Sequence, residues 1–230
     1  MFWVDGYADM YQEINGFEST VYTLEGEKTA WISMKPTTRA AYDLSMRENT
    51  IDGIITMDGL DKLKSGYIYI LKDDPLNKYF IQTLSKWEQQ LRTLNFNAIR
   101  CNCTVTVQRK GFEDDDAAEE TWIDIYKDVD ASISFTLNDS KNFNAGFENA
   151  TYNVVQMPMW EFVEEEDEEG NVKMVEKPRR VEANDRLVVK SNFFSNVVGN
   201  EFDCQIAVES VDNYGISGTI KVQGTQEMRV

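Results

Sequence analysis

The sequence contains no histidine among its 230 residues. Ser-His-Asp and Cys-His nucleophilic sites and histidine-containing zinc sites are therefore excluded, because each requires an imidazole. The usual side chain that titrates near neutral pH is also missing. Any chemistry that the protein performs must use other groups.

Cysteine is scarce, with three residues in the whole chain. An odd and small number cannot build a disulfide scaffold, so we expect reduced thiols and synthesis in a cytoplasm. Cys101 and Cys103 form a C-x-C pair, which could bind a soft metal from one face of a strand. A closed zinc site usually needs four ligands, and Cys204 is the only other thiol. We therefore expect buried core thiols and no metal site.

Long apolar runs are also missing, since no segment approaches the roughly 18 residues of a membrane-spanning helix. The first residues of the sequence have neither the basic region nor the apolar region of a signal peptide. We expect no membrane partner.

The common catalytic and nucleotide-binding motifs do not occur: there is no phosphate-binding loop, no dinucleotide-binding glycine pattern and no G-x-S-x-G. Paired carboxylates can hydrolyse glycosides without histidine. With 40 acidic residues some pair is inevitable, so its presence carries little information. We expect no enzyme, and we assign no catalytic, cofactor-binding or metal-binding residue.

Acidic residues dominate the charge, with 40 against 23 basic residues and a formal net charge of -17. Such a chain should be soluble and should repel nucleic acid. One acidic tract lies at 113–120, but it lacks the glycine that usually bends a calcium loop. We therefore expect a solvated loop there.

Short apolar segments with β-branched and aromatic residues fill most of the chain, separated by turn residues. We count about a dozen strands and one or two short helices, the clearest of which runs over 37–47 from a cap at Thr37 or Thr38. The fold class that we expect is mostly β, as tandem small antiparallel barrels or sandwiches with projecting hairpins.

A pattern in 61–107 returns in altered form in 185–222. Asp61-Lys62-Leu63 and Asp185-Arg186-Leu187 each open an apolar segment, which a turn and a second strand follow. In the first stretch, alternation over 99–107 predicts one long closing strand. Either a small antiparallel β-unit is duplicated, or two unrelated stretches of ordinary sheet share a rhythm.

These patterns divide the chain into four segments, within the one large or two small domains that 230 residues allow. An N-terminal arm, a hairpin and a short helix occupy 1–49, and the first β-unit occupies 50–111. An acidic loop, strands and a projecting acidic hairpin occupy 112–178. The second β-unit occupies 179–230.

The projecting hairpin is predicted from six consecutive acidic residues at 164–169. Gly170 and Asn171 follow at the apex, and apolar residues flank the run on both sides. Because like charges at this density repel one another, the tip should stay in water.

The rhythm of a polar opening, an apolar strand, a turn and a second strand resembles the small β-barrels of tailed-bacteriophage neck proteins. It runs from Asp61 through Gly66 and Tyr67 to Phe80, and it returns over 185–208. In overall pattern the chain is similar to the head-tail connectors, or portal-tail adaptors, that lie between portal and tail.

This resemblance implies a ring-forming virion protein that is assembled in the host cytoplasm. Its implied partners are copies of itself and portal or tail proteins. DNA would pass through an acidic lumen without being bound.

Three other functions stay open. A tail or baseplate component would share the same general features. A carbohydrate-binding β-sandwich would need an exposed aromatic platform, for which the tryptophans are the candidates: Trp3, Trp31, Trp87, Trp122 and Trp160. A carboxylate-based hydrolase would need a cleft with two carboxylates, one with a raised pKa.

Overall fold

The computed structural model describes residues 16–36, 50–85, 93–112, 119–137, 150–166, 170–191, 202–214 and 218–229. These residues form fourteen β-strands, and their one helical element is a 3-10 turn at Leu60–Lys62. The predicted mostly-β class with tandem barrels is confirmed. The helix predicted over 37–47 lies outside the described residues. No helix in the described part of the chain is long and apolar enough to cross a membrane.

Six antiparallel strands close the first barrel. They are β1 (Phe17–Thr23), β2 (Gly26–Pro36), β3 (Thr50–Met57), β4 (Ile68–Leu71), β5 (Asp74–Leu84) and β6 (Leu94–Arg100). Their order is β1-β2-β3-β6-β5-β4, and pairing of β4 with β1 completes the barrel. Alternate side chains fill the interior, where the Tyr69 ring stacks on Tyr79 and meets the edge of Phe96.

The rest of the chain forms a second barrel and a separate hairpin. Its strands are β7 (Cys103–Gly111), β8 (Thr121–Leu137), β9 (Ala150–Pro158), β10 (Trp160–Glu166), β11 (Val172–Pro178), β12 (Arg186–Ser191), β13 (Phe202–Tyr214) and β14 (Thr219–Arg229). The barrel order is β7-β8-β9-β14-β13-β12, closed by pairing of β12 with β7. Within the described part of the chain, strands β10 and β11 pair only with each other.

The two barrels have the same topology. In each, the first three strands in the chain lie side by side, and the last three follow in reverse order around the barrel. The stretch 185–222 falls on β12 to β14, and 61–100 falls on β4 to β6, which are the equivalent strands. The predicted end of the first stretch, 103–107, belongs to β7 of the second barrel. The repeated unit is therefore a whole six-stranded barrel, with the β10–β11 hairpin inserted between the third and fourth strands of the second.

One predicted strand is wrong: the run over 99–107 is two strands, broken at Cys101 and Asn102. The side-chain nitrogen Nδ2 of Asn102 donates to the Ile133 carbonyl oxygen at 3.0 Å, and its side-chain oxygen accepts from the Ile133 N–H at 2.8 Å. The Asn102 side chain thus makes the two bonds to the Ile133 backbone that a neighbouring strand would otherwise make. At this point the chain passes from β6 of the first barrel to β7 of the second.

The barrels also divide the chain differently from the predicted segments. Strands β1 and β2, which lie in 1–49, are needed to close the first barrel, and β8 and β9, which lie in 112–178, are needed to close the second. Each barrel has its own cluster of buried apolar side chains. The apolar rhythm identified strands but not the distant partners that complete each barrel.

Candidate functional site

The two barrels meet at a pair of glycines. Gly66 has φ of 90° and Gly218 has φ of 56°, both in the left-handed region. A Cβ on Gly66 would lie 2.5 Å from the Gly218 carbonyl oxygen, and a Cβ on Gly218 would overlap the carbonyl group of Ser65. Only glycine allows the two backbones to approach this closely.

Polar contacts extend this junction. The Lys78 ammonium lies 2.8 Å and 3.0 Å from the two carboxylate oxygens of Asp130, which is on the other barrel. Gln82 donates to Gln156 at 3.3 Å. Together with the Asn102 contacts, these bonds fix the orientation of one barrel against the other.

The β10–β11 hairpin belongs to neither barrel but lies against the first. The Phe162 ring meets the Tyr67 ring edge-on, with 5.4 Å between centroids. The Lys64 ammonium lies 2.5 Å from the Glu176 carboxylate and 5.9 Å from the centre of the Trp160 ring. The base of the hairpin is therefore held by aromatic, ionic and cation–π contacts.

Burial, together with the neighbouring carboxylate charge of Glu176, raises the pKa of Tyr67 to about 12. The Tyr67 hydroxyl therefore stays protonated at neutral pH. It remains a hydrogen-bond donor beneath the hairpin.

Arg179 holds the two legs of the hairpin together. Its backbone N–H donates to the Met159 carbonyl at 2.6 Å, and its Nη1 donates to the carbonyl oxygens of Pro158 and Trp160. Burial lowers the pKa of Arg179, although the nearby Glu161 opposes this. Because the guanidinium binds the backbone on both sides of Met159, it fixes the angle at which the hairpin leaves β9.

The outer half of the hairpin projects into solvent, as the sequence predicts. Glu164 and Glu166 are exposed, and the apolar side chains of Val172 and Met174 are 64% and 44% exposed on the same face. The segment 160–178 carries eight acidic and two basic residues. The hairpin is thus an acidic surface with an apolar strip along one strand.

The cysteines occupy two different places. Cys103 is buried in the core of the second barrel, where its thiol lies 3.4 Å from the Ala131 carbonyl oxygen. Cys101 lies at the junction, where burial and the charge of Asp130 raise the pKa of its thiol. The side chain of Cys204 lies outside the described residues. Within the described ranges, no group of three or more cysteine or acidic side chains could hold a metal ion.

The acidic tract lies mostly outside the described part of the chain, which shows only its last residues. Glu119 and Glu120 follow the gap at 113–118, and both are exposed. Likewise, only 164–166 of the second acidic run are described.

Tryptophan rings that could bind sugar are already engaged. The Arg186 guanidinium lies 4.2 Å from the centre of the Trp122 ring, with the Lys110 ammonium at 5.4 Å. Lys64 lies over Trp160, and Trp31 is half-buried. Trp3 and Trp87 lie outside the described residues. Two of the three described tryptophans, Trp122 and Trp160, therefore already have a cation against the ring.

A groove of about 670 Å³ runs over the first barrel between β3, β5 and β6. Among the described residues that line it, Asp52 alone is ionisable, and it accepts a hydrogen bond from Asn97 at 2.9 Å. The described part of the groove therefore shows one of the two carboxylates that the hydrolase hypothesis requires.

Comparison of the chain with protein-family models, with curated proteins and with solved structures finds no match. Two features make up the candidate functional site: a close junction of two closed barrels, and a projecting acidic hairpin. The hairpin was predicted from its acidic run and its Gly-Asn apex. The junction was not, because its partners are far apart in the chain.

Proposed function

We propose that the chain is a structural virion protein of a tailed bacteriophage, without catalytic activity. In this proposal it is a ring-forming connector, or portal-tail adaptor, in the neck between portal and tail. It assembles in the host cytoplasm and stays in the virion. The observation that supports this most is the pair of closed barrels, fixed to each other, from which one acidic hairpin projects.

Closed barrels suit a ring subunit because they leave no strand edge for uncontrolled aggregation. Subunits of a ring join through two different surfaces that face each other around the axis. The fixed junction at Gly66 and Gly218 keeps those surfaces in one relative position. A rigid two-barrel body can therefore set a constant spacing between a portal and a tail.

The first test is the mass of the purified chain. We expect a closed ring of many copies, because the proposed contacts are between copies of the chain. Light scattering over a range of concentrations gives the mass, and negative-stain images show whether the particle is closed. A chain that stays monomeric throughout would contradict a self-assembling ring. Saturable quenching of tryptophan fluorescence by oligosaccharides would then support the carbohydrate-binding alternative.

A second test concerns DNA, which in this proposal passes through the ring without being bound. We expect no tight binding to duplex DNA at physiological salt, because the chain carries a net charge of -17. Several of its cations are also engaged by carboxylates, as in the Lys72–Glu18 and Lys78–Asp130 pairs. Fluorescence anisotropy of a labelled duplex measures the binding, with a basic DNA-binding protein as the positive control. Submicromolar affinity would contradict passive passage.

A further inference from the structure

Among the described pairings, free strand edges occur in one place. Every barrel strand has a neighbour on both sides, whereas β10 and β11 each pair with one strand only. An unpaired edge presents a row of N–H and C=O groups that another strand can complete. The hairpin is therefore the element through which an added strand could pair.

The two edges of the hairpin carry opposite charges on one face. On the face opposite Phe162, β10 carries two glutamates around a valine, and β11 carries two lysines around a valine. The internal pairs on this face are Glu161 with Lys177, Val163 with Val175, and Glu165 with Lys173. The Lys177 ammonium also lies 2.5 Å from the Glu165 carboxylate.

The outer edges of β10 and β11 are unpaired, so a strand added at either edge would also lie beside these side chains. We propose that β11 of one copy pairs through its outer edge with β10 of the next copy, in the register used inside the hairpin. Lys177 then meets Glu161 of the neighbouring copy, and Lys173 meets its Glu165, because cross-strand partners lie side by side on one face. The inference rests on the proposed ring and assigns the contact that closes it.

The pairing joins the β11 edge of one copy to the β10 edge of the next. Such a head-to-tail contact can repeat from copy to copy around an axis until the ring closes. Each copy adds two strands, a step of about 10 Å at the hairpins. A barrel with its outward side chains is roughly 20 Å wide, since facing sheets alone lie about 10 Å apart. The hairpins must therefore lie nearer the axis than the barrels, where their acidic tips surround the lumen.

The other face of the hairpin supplies both an attraction and a repulsion. The neighbouring β10 would partly cover the exposed side chains of Val172 and Met174. It would also place Glu164 and Glu166 of successive copies about 10 Å apart, with one strand between them, where their like charges oppose association weakly at physiological salt. An E164Q/E166Q variant should therefore assemble at a lower protein concentration than the wild type.

The decisive experiment exchanges the charges of the two strands. The variant E161K/E165K/K173E/K177E keeps every Glu–Lys pair inside the hairpin. Because E161K also removes the carboxylate near Arg179, the variant's urea unfolding midpoint is first matched to that of the wild type. It should form rings alone. It should not enter rings with the wild type, because glutamates would then face glutamates and lysines would face lysines. Native mass spectrometry of a mixture, with one chain isotopically labelled, measures the composition of each ring at physiological salt.

The matched control exchanges an ion pair on the first barrel. In the variant E18K/K72E the pair at 2.6 Å is reversed without a change in net charge. It should mix with the wild type in statistical proportions. Statistical mixing by the hairpin variant as well would overturn the proposed pairing and leave the ring intact. If both the wild type and E164Q/E166Q stay monomeric, the pairing and the ring are both overturned.

Hydrogen exchange gives a direct readout of the edges. Backbone amides of β10 and β11 that point away from the hairpin should exchange more slowly in the ring than in the monomer. Equal exchange in the two states would place the contact between copies elsewhere and overturn the pairing.

Discussion

Replacing Gly218 with alanine should lower the free energy of unfolding by about 3 kcal/mol or more. A left-handed backbone costs a non-glycine residue about 1–2 kcal/mol, and forcing extra atoms into a packed site costs about 1–3 kcal/mol. The added Cβ would overlap the carbonyl group of Ser65, which is backbone and cannot rotate away. The midpoint of urea-induced unfolding, compared at equal slope, measures the change.

Gly59 provides the matched control. Its backbone is also left-handed, with φ of 74° and ψ of 31°, but a Cβ there would lie 4.0 Å from its nearest neighbour, Lys62 Cδ. G59A should therefore cost only the conformational term, about 1–2 kcal/mol. If G218A costs no more than G59A, the two barrels separate easily, and the rigid spacing that the proposed connector needs is lost.

The sequence predicts the strands better than their partners. Alternation over 105–107 and 187–189 identifies inward-facing side chains, and Val105, Val107, Leu187 and Val189 are all buried in one core. The same pattern says nothing about which strand lies beside which. The closing partners of the first barrel, β1 and β4, are far apart in the chain. Their pairing depends on the whole barrel and not on local rhythm.

The repeated opening shows this limit at the level of single residues. Leu63 and Leu187 are both buried, so the apolar position of the pattern has the same role twice. The aspartates differ: Asp61 is exposed in the 3-10 turn, whereas Asp185 is buried. The arginine that pairs with Asp185 lies 76 positions away, and no spacing in the sequence indicates it.

The hairpin is the part of the candidate site that local signals could predict. Its acidic run and Gly-Asn apex define a turn in water. Its docking could not be predicted, because Tyr67 and Lys64 belong to the first barrel and meet Phe162 and Glu176 only after both barrels have formed. Arg179 was likewise missed, since an arginine that binds carbonyl oxygens leaves no pattern in the sequence.

The buried ion pair of Asp185 should be the other large contributor to stability. The carboxylate is 2% exposed and accepts from Arg109 Nε at 2.7 Å and Nη2 at 2.8 Å. It also accepts from the backbone N–H of Glu182 at 2.8 Å, which fixes the turn before β12. D185A leaves a partly buried guanidinium and an amide without their acceptor. Removing one partner of a fully buried pair costs about 3–5 kcal/mol. Because Arg109 is 35% exposed and keeps Glu182 and the Arg180 carbonyl as acceptors, we expect a loss of about 2 kcal/mol in urea-induced unfolding.

Glu182 gives a control on the same arginine. Its carboxylate lies 3.3 Å from Arg109 Nη1 but is 61% exposed, so E182A should cost less than about 1 kcal/mol. A double-mutant cycle with R109A separates the pair from the turn: R109A/D185A should be less destabilised than the sum of the two single variants. Strict additivity would assign the effect of D185A to the Glu182 amide alone. Asp185 would then stabilise the fold through the turn before β12, and its ion pair with Arg109 of β7 would contribute little.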